Sequence, residues 1–247
     1  SVGFTSVAGT GGGTITGAGQ TYNLTASDAG NNGTVSWTGF GSINGTGAST
    51  INGGVGSSLS GSLTSAATTV SGTITTTGTQ TYTGAVTLGG ATTLASTGSG
   101  AITLAAVSGA NTLAVNTAGT TTFGGVVAGV TSITTDAPGA TSITTASITT
   151  TGPQTYKEAV TAGVVTLNAG GAITASNAAN NFGTLSVTAG RATIVDAGAI
   201  VLGTSNLGAG TLTVNAGGAI TSTPPAPAVA AVTAGAVNLT TSAGGVG

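Results

Sequence analysis

The chain has 247 residues, a net charge of −2 at pH 7 and no Cys, His or Met, and only 2% of its residues are charged. About a quarter of the residues in an ordinary globular domain are charged, and a chain without His or Cys has no imidazole base and no thiolate for catalysis or zinc binding. Two basic residues, Lys157 and Arg191, are too few to neutralise a phosphate backbone, so we expect no nucleic-acid partner.

Residues 1–60 are predicted to form less regular coils with longer loops. The chain begins at Ser1 and contains no Met, so we expect either that a leader has been removed or that the chain is a segment of something longer. Four Asn-x-Ser/Thr sequons are candidate glycosylation sites; they are Asn23, Asn32, Asn44 and Asn238. Asn-Gly-Thr is also ordinary turn chemistry, and we favour turns.

Residues 61–223 consist of short alternating segments between glycine-rich breaks. In TYTGAVTL, residues Tyr82, Val86 and Leu88 fall on one face and threonines on the other, and a period of two indicates a strand. Thr and Val also favour strands over helices. Four further segments pair two aliphatic residues in the same way: Ile102 with Leu104, Leu113 with Val115, Leu185 with Val187, and Leu212 with Val214.

Internal repeats determine the predicted architecture. TLSVTAG starts at Thr184 and the similar TLTVNAG at Thr211, and NAGGAIT occurs at Asn168 and again at Asn215. Steps of about 20 to 27 residues fit one coil of a solenoid, whereas a propeller blade needs about 40–50. We therefore predict an all-β, single-stranded parallel β-helix (β-solenoid) of roughly a dozen short coils, in which each coil covers the next.

The motif TTTGxQTY occurs at Thr75–Tyr82 and again at Thr149–Tyr156, with a shorter echo, GQTY, at Gly19–Tyr22. Proline replaces a threonine in the second copy, and proline is tolerated at a turn or at the first residue of a strand. We interpret the motif as a coil corner that ends in a new strand, and not as a catalytic signature. Its predicted structural residues are Gly78, Gln80, Tyr82, Gly152, Pro153, Gln154 and Tyr156.

The segment TPPAP, Thr223–Pro227, interrupts the repeats because three prolines within four residues cannot occupy a central ladder. We predict a Pro-rich loop over residues 224–230 and a final coil over 231–247, all within one continuous domain.

The apolar fraction of 39% argues against disorder. No apolar run approaches the roughly 18 residues of a membrane helix, so no membrane insertion is expected.

The four acidic residues are weighed first as catalytic groups; they are Asp28, Asp136, Glu158 and Asp196. A glycosidase needs two carboxylates facing one substrate. The separation of Asp136 and Glu158 in the sequence could place them one coil apart, but we favour a stack of surface acids. We predict no catalytic residue.

The charged pairs are expected on the surface. Lys157 and Glu158 replace Thr83 and Gly84 of the first motif copy, which suggests an exposed position. Arg191 and Asp196 could form a surface ion pair, which contributes little. An ion at Asp28–Asn32 is the weaker alternative to a plain loop, and the Asp-bearing repeats of calcium-binding β-rolls are absent. No metal or cofactor is predicted.

Pairs of threonines on one strand face are the remaining surface feature. They are Thr73 with Thr75, Thr75 with Thr77, and Thr211 with Thr213. An ice-binding face would need such a pair at the same place in many successive coils, and TLSV and TLAV lack the second Thr. We expect ordinary solvated strand residues.

The segment Thr75–Gly125 and the sequence TLTVNAGGAIT resemble the repeats of large filamentous-haemagglutinin-like adhesins and related repetitive exoproteins of Gram-negative bacteria. The resemblance covers roughly residues 72–223. It implies a right-handed parallel β-helix that is exported through the outer membrane and displayed outside the cell.

Together these observations predict a non-enzymatic, extracellular or cell-surface, bacterial structural rod. It would be a segment of a large adhesin or a subunit of a filament or matrix fibre. Uncapped ends are open sheet edges, so end-to-end self-association is expected, with a glycan or cell-surface receptor as a further partner. The alternative is a module that binds ice or a surface glycan through a Thr-rich face; an enzyme such as a polysaccharide lyase ranks third.

Overall fold

The computed structural model describes residues 6–223 and 232–247, which form thirty strands and no helix. The Pro-rich loop predicted over residues 224–230 lies outside the described residues. The strands are β1 (Ser6–Ala8), β2 (Thr14–Gly17), β3 (Thr21–Ala26), β4 (Ala29–Asn31), β5 (Ser36–Thr38), β6 (Ser42–Gly45), β7 (Ser49–Gly53), β8 (Leu63–Ser65), β9 (Thr68–Thr76), β10 (Gln80–Tyr82), β11 (Val86–Ser96), β12 (Ile102–Leu104), β13 (Val107–Ser108), β14 (Thr112–Thr117), β15 (Thr120–Phe123), β16 (Val127–Val130), β17 (Ser132–Thr135), β18 (Ala140–Ile143), β19 (Ser147–Thr150), β20 (Gln154–Tyr156), β21 (Ala159–Ala169), β22 (Ala172–Ala175), β23 (Asn181–Thr188), β24 (Arg191–Asp196), β25 (Ile200–Leu202), β26 (Ser205–Asn206), β27 (Thr211–Ala216), β28 (Ile220–Ser222), β29 (Val232–Thr233) and β30 (Ala236–Thr241).

The strands pair in parallel with the strands one turn before and after them, which makes the chain a β-solenoid with three faces. The first face runs through β2, β6, β8, β10, β12, β15, β18 and the start of β21. The second face includes β3, β7, the start of β9 and of β11, β13, β16, β19 and the end of β21. The third face includes the end of β9 and of β11, then β14, β17, β20, β22, β24, β27 and β30.

The predicted β-solenoid is confirmed, with about nine turns where roughly a dozen short coils were expected. One ladder on the third face joins Gly53, Gly72, Thr92, Leu113, Ile133, Gln154, Ile173, Ala192, Leu212 and Val237. Adjacent strands lie about 4.8 Å apart, so this ladder alone corresponds to a rod on the order of 43 Å long.

The interior is a narrow column of Val, Leu and Ile side chains. Tyr82, Val86 and Leu88 are buried, as are all four aliphatic pairs that the period of two predicted. Alternate residues point to opposite sides of a strand, so each short strand supplies one to three side chains to the core. A coil is too small to bury these side chains alone and gains its core from the turns above and below.

Two corners of the solenoid are built differently. Between the second and third faces, β9 and β11 continue through the corner, with a register shift between Leu88 and Thr92. Gly72 has a φ of 72°, and a Cβ there would clash with the carbonyl oxygen of Gly53, so only glycine fits this turn. Between the third and first faces the chain leaves the strand and turns through a short loop.

The N-terminal turns contain antiparallel pairing. β4 runs antiparallel to both β3 and β5, whereas every other pairing of named strands is parallel. The ring of Tyr22, in β3, packs edge-on against Trp37, in β5, with ring centroids 6.0 Å apart. No helix among the described residues is long and apolar enough to cross a membrane.

Candidate functional site

The first TTTGxQTY copy forms a closed hydrogen-bond network at the corner between the third and first faces. The side-chain amide of Gln80 donates to the carbonyls of Ile74, at 3.0 Å, and Ala95, at 2.8 Å. Tyr82 donates its phenol proton to Oε1 of Gln80 at 3.0 Å. Thr76 donates to the carbonyl of Gly78 at 2.7 Å. Because Ala95 belongs to the next turn, the glutamine links two successive turns.

The second copy repeats this network bond for bond. Gln154 donates to the carbonyls of Ile148, at 3.2 Å, and Asn168, at 2.9 Å. Tyr156 donates to Oε1 of Gln154 at 3.1 Å, and Thr150 donates to the carbonyl of Gly152 at 2.8 Å.

The two copies occupy different corners of the solenoid. β10 begins at Gln80 on the first face, whereas β20 begins at Gln154 on the third face. Their separation therefore corresponds to three full turns and two further faces. The third tyrosine of the chain, Tyr22, lies in β3 on the second face and donates instead to the carbonyl of Gly17.

These networks are internal braces. The glutamine and tyrosine side chains of both long copies are buried, and burial raises the pKa of both phenols. Their polar atoms bond to one another and to backbone carbonyls, which gives these buried polar groups the partners that a core requires. The side chains of Thr76, Gln80 and Tyr82, and of Thr150, Gln154 and Tyr156, are all buried.

Asn180 is a third brace that sequence reasoning missed. It lies directly before Asn181, which pairs with Thr161 on the first face. Its amide donates to the carbonyls of Ala175 and Val195, at 2.9 Å and 3.0 Å, and its Oδ1 accepts from the backbone N–H of Val160. The shorter amide side chain and the absence of a following Tyr hid the likeness in the sequence.

We predict that Tyr82→Phe and Tyr156→Phe destabilise the protein to a similar extent, by about 1–3 kcal/mol each, because the buried Oε1 of the glutamine loses its donor. Chemical denaturation of the two variants beside the parent measures this cost. Thr81→Val is the matched control, since it removes a hydroxyl from the opposite side of the same strand, β10. A Tyr82→Phe variant no less stable than Thr81→Val would contradict the brace.

Two of the four acidic residues, Glu158 and Asp196, are buried and are not the surface groups that were expected. Asp196 is buried and accepts from the backbone N–H groups of Phe182, at 2.6 Å, and Gly198, at 2.8 Å. The expected ion pair of Arg191 and Asp196 is wrong, because the two ends of β24 point to opposite sides, with Arg191 exposed. Asp28 accepts from the backbone N–H of Ser60 at 2.7 Å.

The expectation that Glu158 is exposed is also wrong. Its side chain is 1% exposed, while that of Lys157 is exposed. Glu158 follows Tyr156 with the same inward direction, and it occupies space that Gly139, one turn earlier, leaves free: a Cβ on Gly139 would lie 2.5 Å from Oε2 of Glu158. The first motif copy has Gly84 at this position, where a Cβ would lie 2.5 Å from the backbone nitrogen of Ala67.

Burial raises the pKa of the Glu158 carboxyl above its ordinary value of 4.5. A hydrogen bond donated by the Thr141 hydroxyl to Oε1 opposes this rise, and the neighbouring Asp136 carboxylate adds to it. The hydroxyls of Thr121 and Thr135 face the same carboxyl and also oppose the rise, although neither reaches hydrogen-bond geometry. The structure thus brings Asp136 and Glu158 to one corner, but encloses the second carboxyl where no substrate can reach it.

We predict that in metal-free buffer the parent protein loses thermal stability as the pH rises. The loss begins at the ordinary pKa of a Glu carboxyl and continues through the raised pKa of Glu158. Folding favours the protonated form of a group whose pKa it raises, so this stabilisation is present at lower pH and lost at higher pH. Unfolding midpoints measured across this range should fall for the parent and stay flatter for Glu158→Gln. Asp28→Asn is the control for removing an acid elsewhere, and parallel profiles for the parent and Glu158→Gln would refute the assignment.

Three of the four sequons lie in strands and not in the turns that we favoured. Asn32 does form a turn, accepting from the N–H groups of Thr34 and Val35. Asn23 lies in β3 and accepts from the Asn52 amide at 2.8 Å. Asn44 and Asn238 lie in β6 and β30. Strand pairing with the adjacent turn therefore overrides the local turn preference.

The outer surface carries continuous columns of hydroxyl side chains. On the third face, seven of eight successive paired residues are threonine: Thr73, Thr93, Ala114, Thr134, Thr155, Thr174, Thr193 and Thr213. On the first face the column Thr64, Thr81, Thr103, Thr122, Ser142 and Thr161 is unbroken. The Thr-x-Thr pairs do not recur: Thr73 and Thr75 align with Thr93 and Ala95 in the next turn.

Each end of the described solenoid opens a depression into the core. At the N-terminal end a cavity of about 440 Å³ is lined by apolar and aromatic side chains that include Val7, Ile15, Tyr22, Trp37 and Phe40. At the other end a cavity of about 270 Å³ is lined by residues that include Leu202, Ile220, Val237, Leu239 and Val246.

No protein-family model, no curated protein and no solved structure matches this chain. Its class is therefore defined by the fold alone: a three-faced parallel β-solenoid with a neutral, hydroxyl-rich exterior.

Proposed function

We propose that this chain is a structural β-solenoid rod that works outside a bacterial cell. It would be part of a large surface adhesin of the filamentous-haemagglutinin-like type, or a subunit of a filament or matrix fibre that grows head to tail. The proposal rests mainly on how the core ends.

One observation carries the proposal. The inward column of the third face is fully buried at Leu212, yet its next member, Val237, is 45% exposed. Val246 on the same end is 56% exposed. Among the described residues no further turn covers these side chains, so the apolar core is open at this end of the described solenoid.

The backbone at this end is equally open. β30 pairs with β27 on one side, and no strand in the described parts of the chain pairs with its other side. A free edge presents unpaired N–H and C=O groups that template another strand. At the other end, the first-face strand β2 pairs among the described residues with β6 alone, so its outer edge is also free. Joining unlike ends repeats without closing and yields a filament.

The lateral surface disfavours other modes of association. Its hydroxyl columns hydrate the strands without charge. The exposed large apolar residues on the side of the rod, Val55, Val126 and Val164, are single residues from separate turns. Scattered single apolar residues are normal on a protein surface and do not mark an interface. Association is thus directed to the ends.

We predict that the parent protein forms fibres whose length grows with protein concentration in electron micrographs. Val237→Lys and Val246→Lys should shorten or abolish them, because each places a charge in the apolar end. Val164→Lys is the matched control: it introduces the same charge at a side position that is 75% exposed, and fibres should persist. Strictly monomeric parent rods, or equal loss of fibres in all three variants, would refute the head-to-tail filament.

A second candidate function is binding of ice or a surface glycan through a hydroxyl column. The near-continuous threonine column from Thr73 to Thr213 favours it. The column is one residue wide, however, and its neighbours are mixed: Ala172 and Arg191 are consecutive members of the flanking column. Binding by monomers, unaffected by changes at the ends, would distinguish this function from the filament.

A further inference from the structure

We propose that the corner around Glu158 is an internal site for a small, oxygen-seeking divalent cation of the Ca²⁺ class. Five buried side-chain atoms among the described residues have no hydrogen-bond partner, and three of them lie at this corner: Oε2 of Glu158 and the hydroxyls of Thr121 and Thr135. Buried polar atoms without a partner are rare in folded proteins, and a group of them indicates a missing ligand.

The ladder explains why these oxygens meet. Thr121 pairs with Thr141 in the next turn of the first face. Thr135 pairs with Tyr156 on the third face, just before Glu158 in the chain. The corner between these faces therefore collects side chains from three successive turns, although they are distant from one another in the sequence.

Backbone oxygens complete the surroundings. A Cβ on Gly139 would lie 2.5 Å from Oε2 of Glu158, 2.8 Å from the carbonyl oxygen of Gly119 and closer still to the carbonyl oxygen of Thr117. These three oxygens converge beside the bare Cα of Gly139. Any larger residue would fill the space among them.

The charge at this corner favours a divalent ion. The Asp136 carboxylate adds negative charge near this corner, and its Oδ1 accepts from the backbone N–H of Thr117, whose carbonyl faces the site. The adjacent cation, Lys157, points to solvent. Ca²⁺ accepts six to eight carboxylate, carbonyl and similar oxygens, whereas Mg²⁺ retains its waters and fits a closed corner poorly. Softer metals prefer His or Cys ligands, which the chain lacks.

A proton is the competing occupant of this site. Protonated Glu158 would donate from Oε2 and leave the corner neutral without an ion. The two occupants respond in opposite ways to pH, because a cation requires the ionised carboxylate. Calcium should therefore stabilise the protein most at neutral pH and lose its effect as Glu158 becomes protonated.

Thermal unfolding of the full chain at neutral pH, with CaCl₂ or with a chelator at matched ionic strength, tests the proposal. We expect Ca²⁺ to raise the midpoint of the parent by about 5 °C at roughly 100 times the dissociation constant. Glu158→Gln should lose this shift, and Thr135→Val, which removes one hydroxyl at nearly constant volume, should reduce it. Asp28→Asn should keep it.

Calorimetric titration of the parent with CaCl₂ gives a readout that does not depend on the folding of any variant. We expect one ion per chain, with protons released on binding in amounts that grow as the pH is lowered toward the range where Glu158 titrates. The proposal is overturned if the parent neither binds Ca²⁺ nor gains stability from it, or if Glu158→Gln shows the same shift as the parent. Equal stabilisation by NaCl alone would also overturn it.

Discussion

Parallel backbone pairing between successive turns is the constraint on which the rest of this structure depends. On the third face the spacing between paired residues stays almost constant from Gly53 to Leu212. Within each turn the chain must therefore supply three short strands, three corners and a few small apolar side chains for the core. Extra residues within a strand would break the pairing with the adjacent turns. The length of the chain can therefore vary only in the loops at the corners.

The corners lie outside the regular strands, although backbone bonds to the adjacent turn continue there, as from the N–H of Gly98 to the carbonyl of Thr77. The protein places its buried polar side chains at these points. Gln80, Gln154 and Asn180 reach the carbonyls of two successive turns, while Ser96 and Thr117 bond to the loop backbone. The corner at Glu158 differs, since Oε2 of Glu158 and the hydroxyls of Thr121 and Thr135 have no hydrogen-bond partner there. These partnerless oxygens are the reason that we propose a cation site at this corner.

Much of this architecture follows from the sequence, because it depends on local pattern. The period of two identified the inward residues of β10 to β12, and the motif's Gly and Pro pointed to a corner. The repeated segments indicated a solenoid, but TLSV lies on the second face and TLTV on the third, so their separation exceeds one turn. The burial of Glu158 could not be predicted, since it depends on Gly139, which is adjacent to it only in the fold.

Other features were hidden because they depend on pairing between turns. The threonine column of the third face has no fixed period: the step from Thr93 to Ala114 is longer than the step from Thr155 to Thr174. The strand positions of Asn23 and Asn44 likewise reflect pairing with other turns. The same ladder leaves the described end turns covered on one side only, so their apolar side chains and strand edges are open. In the filament that we propose, the interface is the fold continued in a second copy, so no dedicated interface is needed.

Hydrogen–deuterium exchange of the intact chain in dilute and in concentrated solution, measured by mass spectrometry, tests most directly whether the ladder continues from one copy to the next. Strands β11 to β24 should be protected at both concentrations, whereas β2 and β30 should exchange quickly when dilute and gain protection when concentrated. Protection gained along the lateral faces, or no gain at either end strand at any concentration, would contradict the continuation of the ladder from one copy to the next.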